Sequence, residues 1–579
     1  MKLSDYIAKF LSNITNHVFV GQGSCVVHLL DSISKLDSMK IIPSQNEQGA
    51  AIAADAYSRL DNKYGVSIAT SGPGILNLTQ GIACSYFDSV PSMHICGAVI
   101  TAHLRKDKNL RQLGFQEMEV VDLIKPITKY AILLKDKNDI RYELEKMLYI
   151  SKDGRPGPVL MDLPDDLQRA EINPDELRSF LIPSLNIKKN NFENNFLKLI
   201  TNAKRPIIIP GYGIRLSNTQ KNLYDFIKKT NIPYAPSWGA LDLFSFDDKN
   251  FAGTFGVAGT RYGNFAVQNS DLIIVLGCRL NTQLTGAKIE TFAENAKKIV
   301  VDVDDAELSK NNGVKIDLKI NMNLKDFFNK VNKLDYIKKD YSEWINRFTE
   351  WKKNYPVCLP EYSKQSTKVN AYTFMRQLSE MTGEKDILIP DASANLIWAM
   401  QAFNIKGQKV FTAFNHSPMG YAMAATIGAQ YANPNSNIIC TIGDGSMQMN
   451  IQELETISFY KLPVKIFVLN NGGYGLIKLT QNTWLNSNKV GVDEDSGLGM
   501  PNLQKIAKAY EIETCEINNH SELKEKLAYV INSKLPILCD VKIDPDQKVI
   551  PKIDSGEPIH NMSPRLNKAE VEKIMKNES

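Results

Sequence analysis

The sequence has 579 residues, enough for three or four domains of ordinary size. Its 43% hydrophobic and 23% charged residues are typical of a globular protein, and its formal charge of +4 is too small to indicate a nucleic-acid or anionic-membrane partner. No apolar run is long enough to span a bilayer, and the eight cysteines are scattered without a CxxC pair, so we expect a cytoplasmic protein with reduced thiols.

Strand-like and helical segments alternate along nearly the whole chain. Short apolar runs that end in Gly, Asp or Asn predict buried parallel strands, and eight of them are GVSIATSGPG, PSMHICGAV, RPIIIPGYG, SDLIIVLGCRL, KKIVVDVD, NIICTIGDG, VKIFVLNN and PILCDVKID. The predicted fold class is therefore α/β, with doubly wound parallel sheets. Polar stretches interrupt this rhythm twice, which predicts domains at 1–170, 196–335 and 369–545, linkers at 171–195 and 336–368, and a tail at 546–579.

One βαβ unit near the C-terminus carries polar residues at the ends of both strands. The run NIICTI is followed two residues later by Asp444, and the run VKIFVL is followed two residues later by Asn471. The segment IQELETISFY between them has helical spacing. A right-handed crossover brings both strand ends to one sheet edge, where hard oxygen ligands suit Mg²⁺ bound with a diphosphate. A turn-forming Asp-Gly would explain the GDG alone, but the combination predicts metal ligands at Asp444, Asn471 and Gly473, and diphosphate contacts at Gly443, Gly445, Ser446 and Gly473.

This combination resembles the thiamine-diphosphate motif, and other segments resemble acetolactate synthases. The segments IIPSQNEQGAAIAADAYSRL, ATSGPGILNLTQGIACSYFDSVPSMHICG and GRPGPVLMDLPDDLQ are similar to the N-terminal domain of that family. GTFGVAGTRYGNFAVQNSDLIIVLGCRL and KKIVVDVDDAEL are similar to its central domain, and SPMGYAMAATIGAQ to the entry of its diphosphate domain. The resemblance implies a pyrimidine domain, a central flavin-type domain and a diphosphate domain, in that order.

The resemblance also implies roles for individual residues. Glu47 would bond the cofactor's aminopyrimidine and so activate its amino group as a base, and Met419 would lie under the bend of the cofactor. The active site of this family lies between two chains, which implies a homodimer or homotetramer. Beside the cofactor we expect Gly72, Pro73, Gly74, Phe115 and Gln116.

Three histidines stand near these segments, although the family needs none for catalysis. We expect structural roles for His28 and His94. The role of His416, three residues before Met419, is left open.

The central domain carries a possible flavin site. Gly211-Tyr212-Gly213 follows a strand, which alone is a weak dinucleotide motif. The resemblance adds Arg279 and a strand-end acid, Asp302 or Asp304, and so implies FAD in a structural role. Asn281 and Thr282 stand where acetolactate synthases carry two aspartates, which weakens this inference.

The predicted acceptor pocket departs from acetolactate synthases. Where they carry the arginine that holds the carboxylate of the second keto acid, this chain carries Gln283, which cannot offer a charged bidentate fork. Thr480 replaces their tryptophan, and Leu476 their methionine, which indicates a wider pocket. The tail resembles acetolactate-synthase-like proteins of surface-polysaccharide biosynthesis.

The sequence thus predicts an enzyme that decarboxylates a pyruvate-like 2-keto acid and transfers the two-carbon unit to another carbonyl acceptor, such as a nucleotide-linked ketosugar. One alternative is an acetolactate synthase catalytic subunit. The other is a catalytically inactive thiamine-fold protein with a binding or regulatory role.

Overall fold

A computed structural model describes residues 1–61, 63–183, 191–365 and 367–575. Their main feature is three parallel sheets with packed helices, which confirms the predicted α/β class. All eight apolar runs form strands. Residues 184–190 and 366 of the predicted linkers, and 576–579 of the predicted tail, lie outside the described residues. Among the described residues, no helix combines the length and apolar character needed to cross a membrane.

The first sheet has six strands in the order β2-β1-β3-β4-β6-β5. Its strands are β1 His17–Val20, β2 Lys40–Pro43, β3 Gly65–Ala69, β4 Ser92–Ala98, β5 Tyr130–Leu133 and β6 Val159–Pro164. Its helices are α1 Leu3–Ser12, α2 Val27–Ser34, α3 Glu47–Ser58, α4 Pro73–Asp88, α5 Val120–Ile124, α6 Ile140–Lys152 and α7 Asp165–Arg169.

The second sheet has four strands in the order β10-β9-β8-β7. Its strands are β7 Pro206–Pro210, β8 Leu272–Leu276, β9 Lys297–Asp302 and β10 Leu318–Asn321. The helices around it are α8 Glu193–Asn202, α9 Gly213–Leu216, α10 Gln220–Thr230, α11 Arg261–Asn269, α12 Thr282–Thr285, α13 Asp305–Ser309 and α14 Leu324–Val331. Helix α15, Ser342–Asn354, lies in the stretch 336–368 that was predicted as the second linker.

The third sheet has six strands in the order β12-β11-β13-β14-β16-β15. Its strands are β11 Ile387–Pro390, β12 Lys409–Val410, β13 Ile438–Gly443, β14 Lys465–Asn470, β15 Glu513–Ile517 and β16 Ile537–Lys542. Its helices are α16 Ala371–Met381, α17 Ala394–Ala402, α18 Tyr421–Ala432, α19 Asp444–Met447, α20 Glu453–Phe459, α21 Gly475–Trp484, α22 Leu503–Ala509 and α23 His520–Asn532.

The C-terminal tail packs back onto the central domain. It contains the short antiparallel pair β17 Lys552–Ile553 and β18 Met562–Ser563, followed by helix α24 Lys568–Met575. Asn264 donates to the carbonyl of Ile559 at 2.7 Å, and Arg261 donates to the carbonyl of Pro564 at 2.6 Å. These bonds hold the tail against the start of α11.

Helix α3 is packed between α4 of its own domain and α18 of the third domain, and small residues make this possible. A Cβ on Gly81 of α4 would lie 2.4 Å from the Cβ of Ala51. A Cβ on Gly428 of α18 would lie 1.9 Å from the carbonyl oxygen of Ala53. The alanine-rich sequence of α3 therefore suits close helix contacts on two sides, and its residues from Ala50 to Tyr57 are buried.

A buried arginine joins this helix sandwich to the third domain. The Arg59 side chain is fully buried and pairs with Asp55 at 2.7 Å and Asp88 at 2.9 Å. It also donates to the carbonyl of Thr412 at 2.8 Å, and the hydroxyl of Tyr421 donates to Asp55 at 2.5 Å. Two carboxylates compensate the charge of this buried cation. Burial lowers the pKa of Arg59, but the nearby acids outweigh this effect and keep the pKa well above the ordinary value.

Replacing Arg59 by methionine should destabilise the chain strongly, because Asp55 and Asp88 would remain buried without their cation. We expect a loss on the order of 3–5 kcal/mol in the free energy of unfolding, measured by urea titration. The matched control is Lys221→Met, which breaks the exposed Lys221–Asp225 pair and should change stability little. Equal stability of the two variants would show that the buried cation is dispensable.

Candidate active site

The ends of β13 and β14 meet through Asp444, as the βαβ prediction requires. The strands are neighbours in the sheet, with Gly443 opposite Leu469. One carboxylate oxygen of Asp444 accepts from the amide of Gly445, and the other accepts from the amide of Gly473, each at 2.9 Å. The Asp444 carboxylate therefore bridges the two strand ends.

The Asp444 carboxylate is buried, and none of the basic side chains among the described residues forms an ion pair with it, which suits a bound cation. It is 2% exposed, and burial raises its pKa to about 6 while backbone amides oppose that shift. A divalent cation would supply the missing charge, with the side chain of Asn471 and the carbonyl of Gly473 as further hard donors. The described residues contain no group of three His, Cys, Asp or Glu side chains able to hold a metal.

The loop around Asn471 and Gly473 is tightly packed. Gly473 has φ +146°, and a Cβ there would lie 2.1 Å from the carbonyl oxygen of Val492. The amide of Tyr474 donates to the same carbonyl at 2.9 Å. On the facing strand end, a Cβ on Gly445 would lie 2.3 Å from the Tyr474 ring. Gly443 has no atom within 4 Å of its Cβ position, so the backbone is open there for a ligand.

Glu47 begins α3 and lies against two glycines. A Cβ on Gly21 would lie 2.1 Å from the Glu47 side chain, and a Cβ on Gly74 would lie 3.6 Å from its Oε1. Asn77 donates to the other carboxylate oxygen at 2.9 Å. The side chain is half-buried, and its hydrogen bond comes from α4 and not from the Asp444 region.

The segment Gly72-Pro73-Gly74 contacts Gln116. Both Gly72 and Gln116 have positive φ, +60° and +63°. A Cβ on Gly72 would lie 2.8 Å from the Gln116 carbonyl oxygen. The structure therefore gathers Glu47, Gly74 and Gln116 into one region, with Pro73 as the first residue of α4. Phe115 projects from this region with 85% of its surface exposed.

Met419 lies half-buried in the loop between β12 and α18, and Asp391 fixes the backbone after it. Asp391 is fully buried at the end of β11 and accepts from the amides of Gly420 at 3.1 Å and Ala422 at 2.9 Å. Burial raises its pKa to about 6, and these backbone bonds oppose the shift. Sequence reasoning missed Asp391, although a lone acid at a strand end was a usable signal.

In the central domain, Gly211 and Gly213 pack against the end of β8. A Cβ on Gly211 would lie 2.2 Å from the Gly277 carbonyl oxygen, and one on Gly213 would lie 2.8 Å from the Gly277 Cα. This packing requires both glycines whether or not a nucleotide binds. Arg279 and Asp302 line one cleft together with Lys310. Burial raises the pKa of Asp302, which accepts from the amide of Asp304 at 2.9 Å.

The predicted acceptor residues lie on two domains. Gln283 is exposed on α12 of the central domain. Leu476 and Thr480 lie one turn apart on α21 of the third domain, and the Thr480 hydroxyl donates to the Leu476 carbonyl at 3.0 Å.

Two of the three histidines have partners that suit structural roles. His94 is fully buried between the hydroxyls of Ser67 and Ser92, at 2.7 and 3.0 Å, and burial lowers its pKa to about 3. His28 lies 3.9 Å from Asp165. His416 is half-buried, and its ring is stacked on Phe87 with the centroids 5.3 Å apart.

Glu453 is a further residue that sequence reasoning missed. It begins α20, is fully buried, and reaches across to the segment before Glu47. Its carboxylate accepts from the amide of Asn46 at 3.1 Å and from the hydroxyl of Thr456 at 2.8 Å. Beside it, the Gln48 side chain donates to Asn450 at 3.4 Å. The third domain thus holds the start of α3, where Glu47 lies.

The ionisation of Glu453 should make stability depend on pH. Burial raises its pKa from 4.5 to about 7, so the folded chain retains a proton that the unfolded chain releases. This stabilisation is complete below pH 4.5 and is lost as the pH rises to about 7. Relative to Glu453→Gln, the wild type should lose about 1.4 kcal/mol of unfolding free energy per unit between about pH 5 and 7.

The measurement is urea unfolding of both proteins across this range. Glu455→Gln, on an exposed position of the same helix, is the matched control and should keep the wild-type pH dependence. A Glu453→Gln protein that keeps the same slope as the wild type would refute the assignment.

Comparisons with known proteins identify the family of the chain. Family models of the thiamine pyrophosphate enzymes match three regions: the N-terminal TPP binding domain at 1–123, the central domain at 194–331 and the C-terminal TPP binding domain at 391–541. The acetolactate synthase large subunit of Cyanidium caldarium is 32% identical over 93% of each chain. That of Porphyra purpurea is 31% identical over 93% of this chain and 91% of its own.

The chloroplastic acetolactate synthase of Arabidopsis thaliana is 30% identical over 93% of this chain and 81% of its own. The family models together match most of the chain, and two of them are TPP binding domains, one N-terminal and one C-terminal. The chain therefore belongs to the acetolactate synthase family of thiamine-diphosphate-dependent, acyloin-forming enzymes.

Proposed function

We propose that the protein decarboxylates a 2-keto acid, pyruvate in the simplest case, and transfers the two-carbon unit to a carbonyl acceptor other than a small keto acid. A nucleotide-linked ketosugar is the acceptor class that we favour. The observation that carries this proposal is Gln283, an exposed neutral side chain at the position where the family resemblance implies a carboxylate-binding arginine. A glutamine both donates and accepts hydrogen bonds, which suits hydroxyl groups better than a carboxylate.

The cofactor site supports the decarboxylation half of this proposal. Bound thiamine diphosphate supplies the electron sink for loss of carbon dioxide. Asp444, Asn471 and the Gly473 carbonyl would hold Mg²⁺, and Glu47 would exchange a proton with the pyrimidine ring nitrogen. The open backbone at Gly443, together with Gly445 and Ser446, would face the diphosphate.

FAD is proposed as a second cofactor with a structural role. Arg279 and Asp302 line the same cleft, and the acid is placed at a strand end as for a ribose hydroxyl. Among the described residues, the buried indole nitrogen of Trp238 has no hydrogen-bond partner, and a Cβ on the next residue, Gly239, would lie 3.1 Å from the Cβ of Tyr212 in the 211–213 loop. An unsatisfied donor beside this loop is what a bound polar cofactor would satisfy.

We also propose that two chains complete each active site, as a homodimer or homotetramer. The Glu47 side chain accepts its hydrogen bond from α4 of its own domain. The hydrogen bonds to the third domain of the same chain are made by its neighbours Asn46 and Gln48. Phe115, beside Gln116, is 85% exposed, and Leu113 is 55% exposed. An apolar surface next to the cofactor residues suits coverage by a second copy.

An acetolactate synthase is the second candidate, because its relatives share about a third of their residues with this chain over most of its length. Under that assignment the acceptor is a second keto acid, and Gln283 must bind its carboxylate without a charge. The two candidates therefore differ in the acceptor and agree in the donor.

Asp444→Ala should abolish metal-dependent cofactor binding while leaving the fold intact. Loss of a charged metal ligand should cost several kcal/mol of affinity, by analogy with the roughly 3–5 kcal/mol for breaking a buried charge pair. Calorimetric titration with thiamine diphosphate and Mg²⁺ measures this, and circular dichroism checks the fold. Asp495→Ala, an exposed acid on a nearby loop, is the control. Unchanged affinity in Asp444→Ala would place the metal elsewhere.

With pyruvate alone, the wild type should release carbon dioxide slowly and form little acetolactate. A keto-acid acceptor lacks the charge-assisted hydrogen bond of an arginine, worth about 1.5–3 kcal/mol. That is roughly a 10- to 150-fold handicap in binding the second keto acid. A nucleotide-linked 4-ketosugar should accelerate pyruvate consumption and give a product two carbons heavier by mass spectrometry.

The converse variant, Gln283→Arg, should gain acetolactate formation and lose part of the sugar reaction. Gln283→Glu is the matched control, because it changes the charge in the opposite direction. Efficient acetolactate formation by the wild type, with no response to the sugar, would support the acetolactate synthase assignment instead.

A further inference from the structure

His416 is a titratable side chain that the reaction described so far does not use. It lies in the loop that carries Met419, and its ring is stacked nearly parallel on Phe87, with 12° between the ring planes. Among the described residues, no hydrogen bond reaches either of its ring nitrogens. The adjacent Ser417 has φ +50°, a strained conformation for a residue other than glycine. An imidazole held by stacking, with both nitrogens unpaired, is suited to contact a ligand.

The neighbours of His416 place it close to the predicted acceptor segment. Asn415 accepts from the side-chain amide of Asn281 at 3.0 Å, and Asn281 is two residues before Gln283. Asp88 fixes the backbone here, accepting from the amides of Phe414 at 2.8 Å and Asn415 at 3.1 Å. The other amide atom of Asn281, Oδ1, is buried without a partner. The hydrogen bond between Asn281 and Asn415 therefore has an unpaired polar group on each side, Oδ1 of Asn281 in the central domain and the His416 ring in the third domain.

We propose that His416 contacts the acceptor carbonyl and protonates its oxygen as the carbon–carbon bond forms. This inference rests on the proposed function and names the acid of its second half. The bond between the carboxylate and the carbonyl carbon of the donor breaks, and its electron pair becomes the new bond to the acceptor carbon. The acceptor's π electrons move to its oxygen, which takes a proton from the imidazolium of His416. The imidazole recovers a proton from solvent, so the net reaction consumes one.

The electrostatics of this position suit an acid. Burial lowers the pKa of His416, and the charge of Asp88 acts in the opposite direction. A half-buried imidazolium is therefore a stronger acid than an ordinary one, and it can be replenished from water because the side chain retains exposure.

The first test separates decarboxylation from ligation in the whole enzyme loaded with thiamine diphosphate and Mg²⁺. In His416→Leu and His416→Gln, ligation should fall by about 100-fold or more, as for loss of a general acid, while carbon dioxide release without acceptor stays within about threefold. Glutamine donates a hydrogen bond but transfers no proton, so it distinguishes proton transfer from simple binding. The control His28→Gln should ligate like the wild type. Ligation within about threefold of the wild type in His416→Gln would overturn the proposal, whatever the result for His416→Leu.

The acceptor in this test is whichever the wild type ligates faster, a nucleotide-linked 4-ketosugar or a second pyruvate. If the wild type ligates only pyruvate, the proposed sugar acceptor is wrong, but the His416 variants still test the proposed acid with pyruvate as the acceptor. A wild type that releases carbon dioxide and ligates neither acceptor overturns both proposals.

The second test does not depend on turnover. Diethyl pyrocarbonate modifies accessible imidazoles, and peptide mass spectrometry assigns the modification among the seven histidines. A saturating amount of the nucleotide-linked 4-ketosugar, added without pyruvate, should slow modification of His416 and leave that of His28 unchanged. Equal modification of His416 with and without acceptor would place the acceptor elsewhere.

Discussion

The buried guanidinium of Arg59 is the interaction on which the rest of the site depends. A cation without solvent needs carboxylates in fixed positions, and Arg59 takes one from α3 and one from α4. The N-terminal ends of these two helices carry Glu47 and the Gly72-Pro73-Gly74 segment. Because Arg59 also bonds the carbonyl of Thr412, the same charge holds the loop that leads to His416 and Met419. One ion cluster thus connects the two helices that begin at Glu47 and Pro73 to the loop of Met419 in the third domain.

Small residues and buried acids work together in this arrangement. Glycines at 81 and 428 let α3 approach its neighbours closely, so the helix cannot shift without a collision. Glu453 and Asp391 then fix the ends of segments by accepting backbone amides, at Asn46 for α3 and at Gly420 for α18. Acids with little exposed surface accept backbone bonds that water would otherwise make. The resulting rigidity suits a site in which the cofactor itself does the chemistry and the protein positions it.

The parts of this structure that were predictable from the sequence are local. The strands and their polar ends could be predicted because each apolar run is followed within a few residues by its polar end, Gly-Asp-Gly or Asn-Asn. The contact of Glu453 with the segment before α3 and the bond of Arg59 to the third domain could not, because these partners lie far away in sequence. Glu453 and Asn46 are 407 positions apart, and Arg59 and Thr412 are 353 apart. A single acid in a helix such as IQELETISFY has no local sign that it will be buried against another domain.

Backbone strain occurs in several of the loops that carry the candidate site residues. Positive φ outside glycine occurs at 13 of the described residues, and four of them are Gln116 beside the pyrimidine region, Ser393 and Ser417 on the loops around Asp391 and Met419, and Leu280 next to the acceptor segment. Each such residue costs roughly 1–3 kcal/mol and persists only where its surroundings hold it. Here the holding groups are Gly72 for Gln116 and the Asp88–Asn415–Asn281 chain for the loop of Ser417. The neutral side chains at 281 and 283 fit the acceptor class proposed above, because an amide group can both donate to and accept from hydroxyl and carbonyl groups.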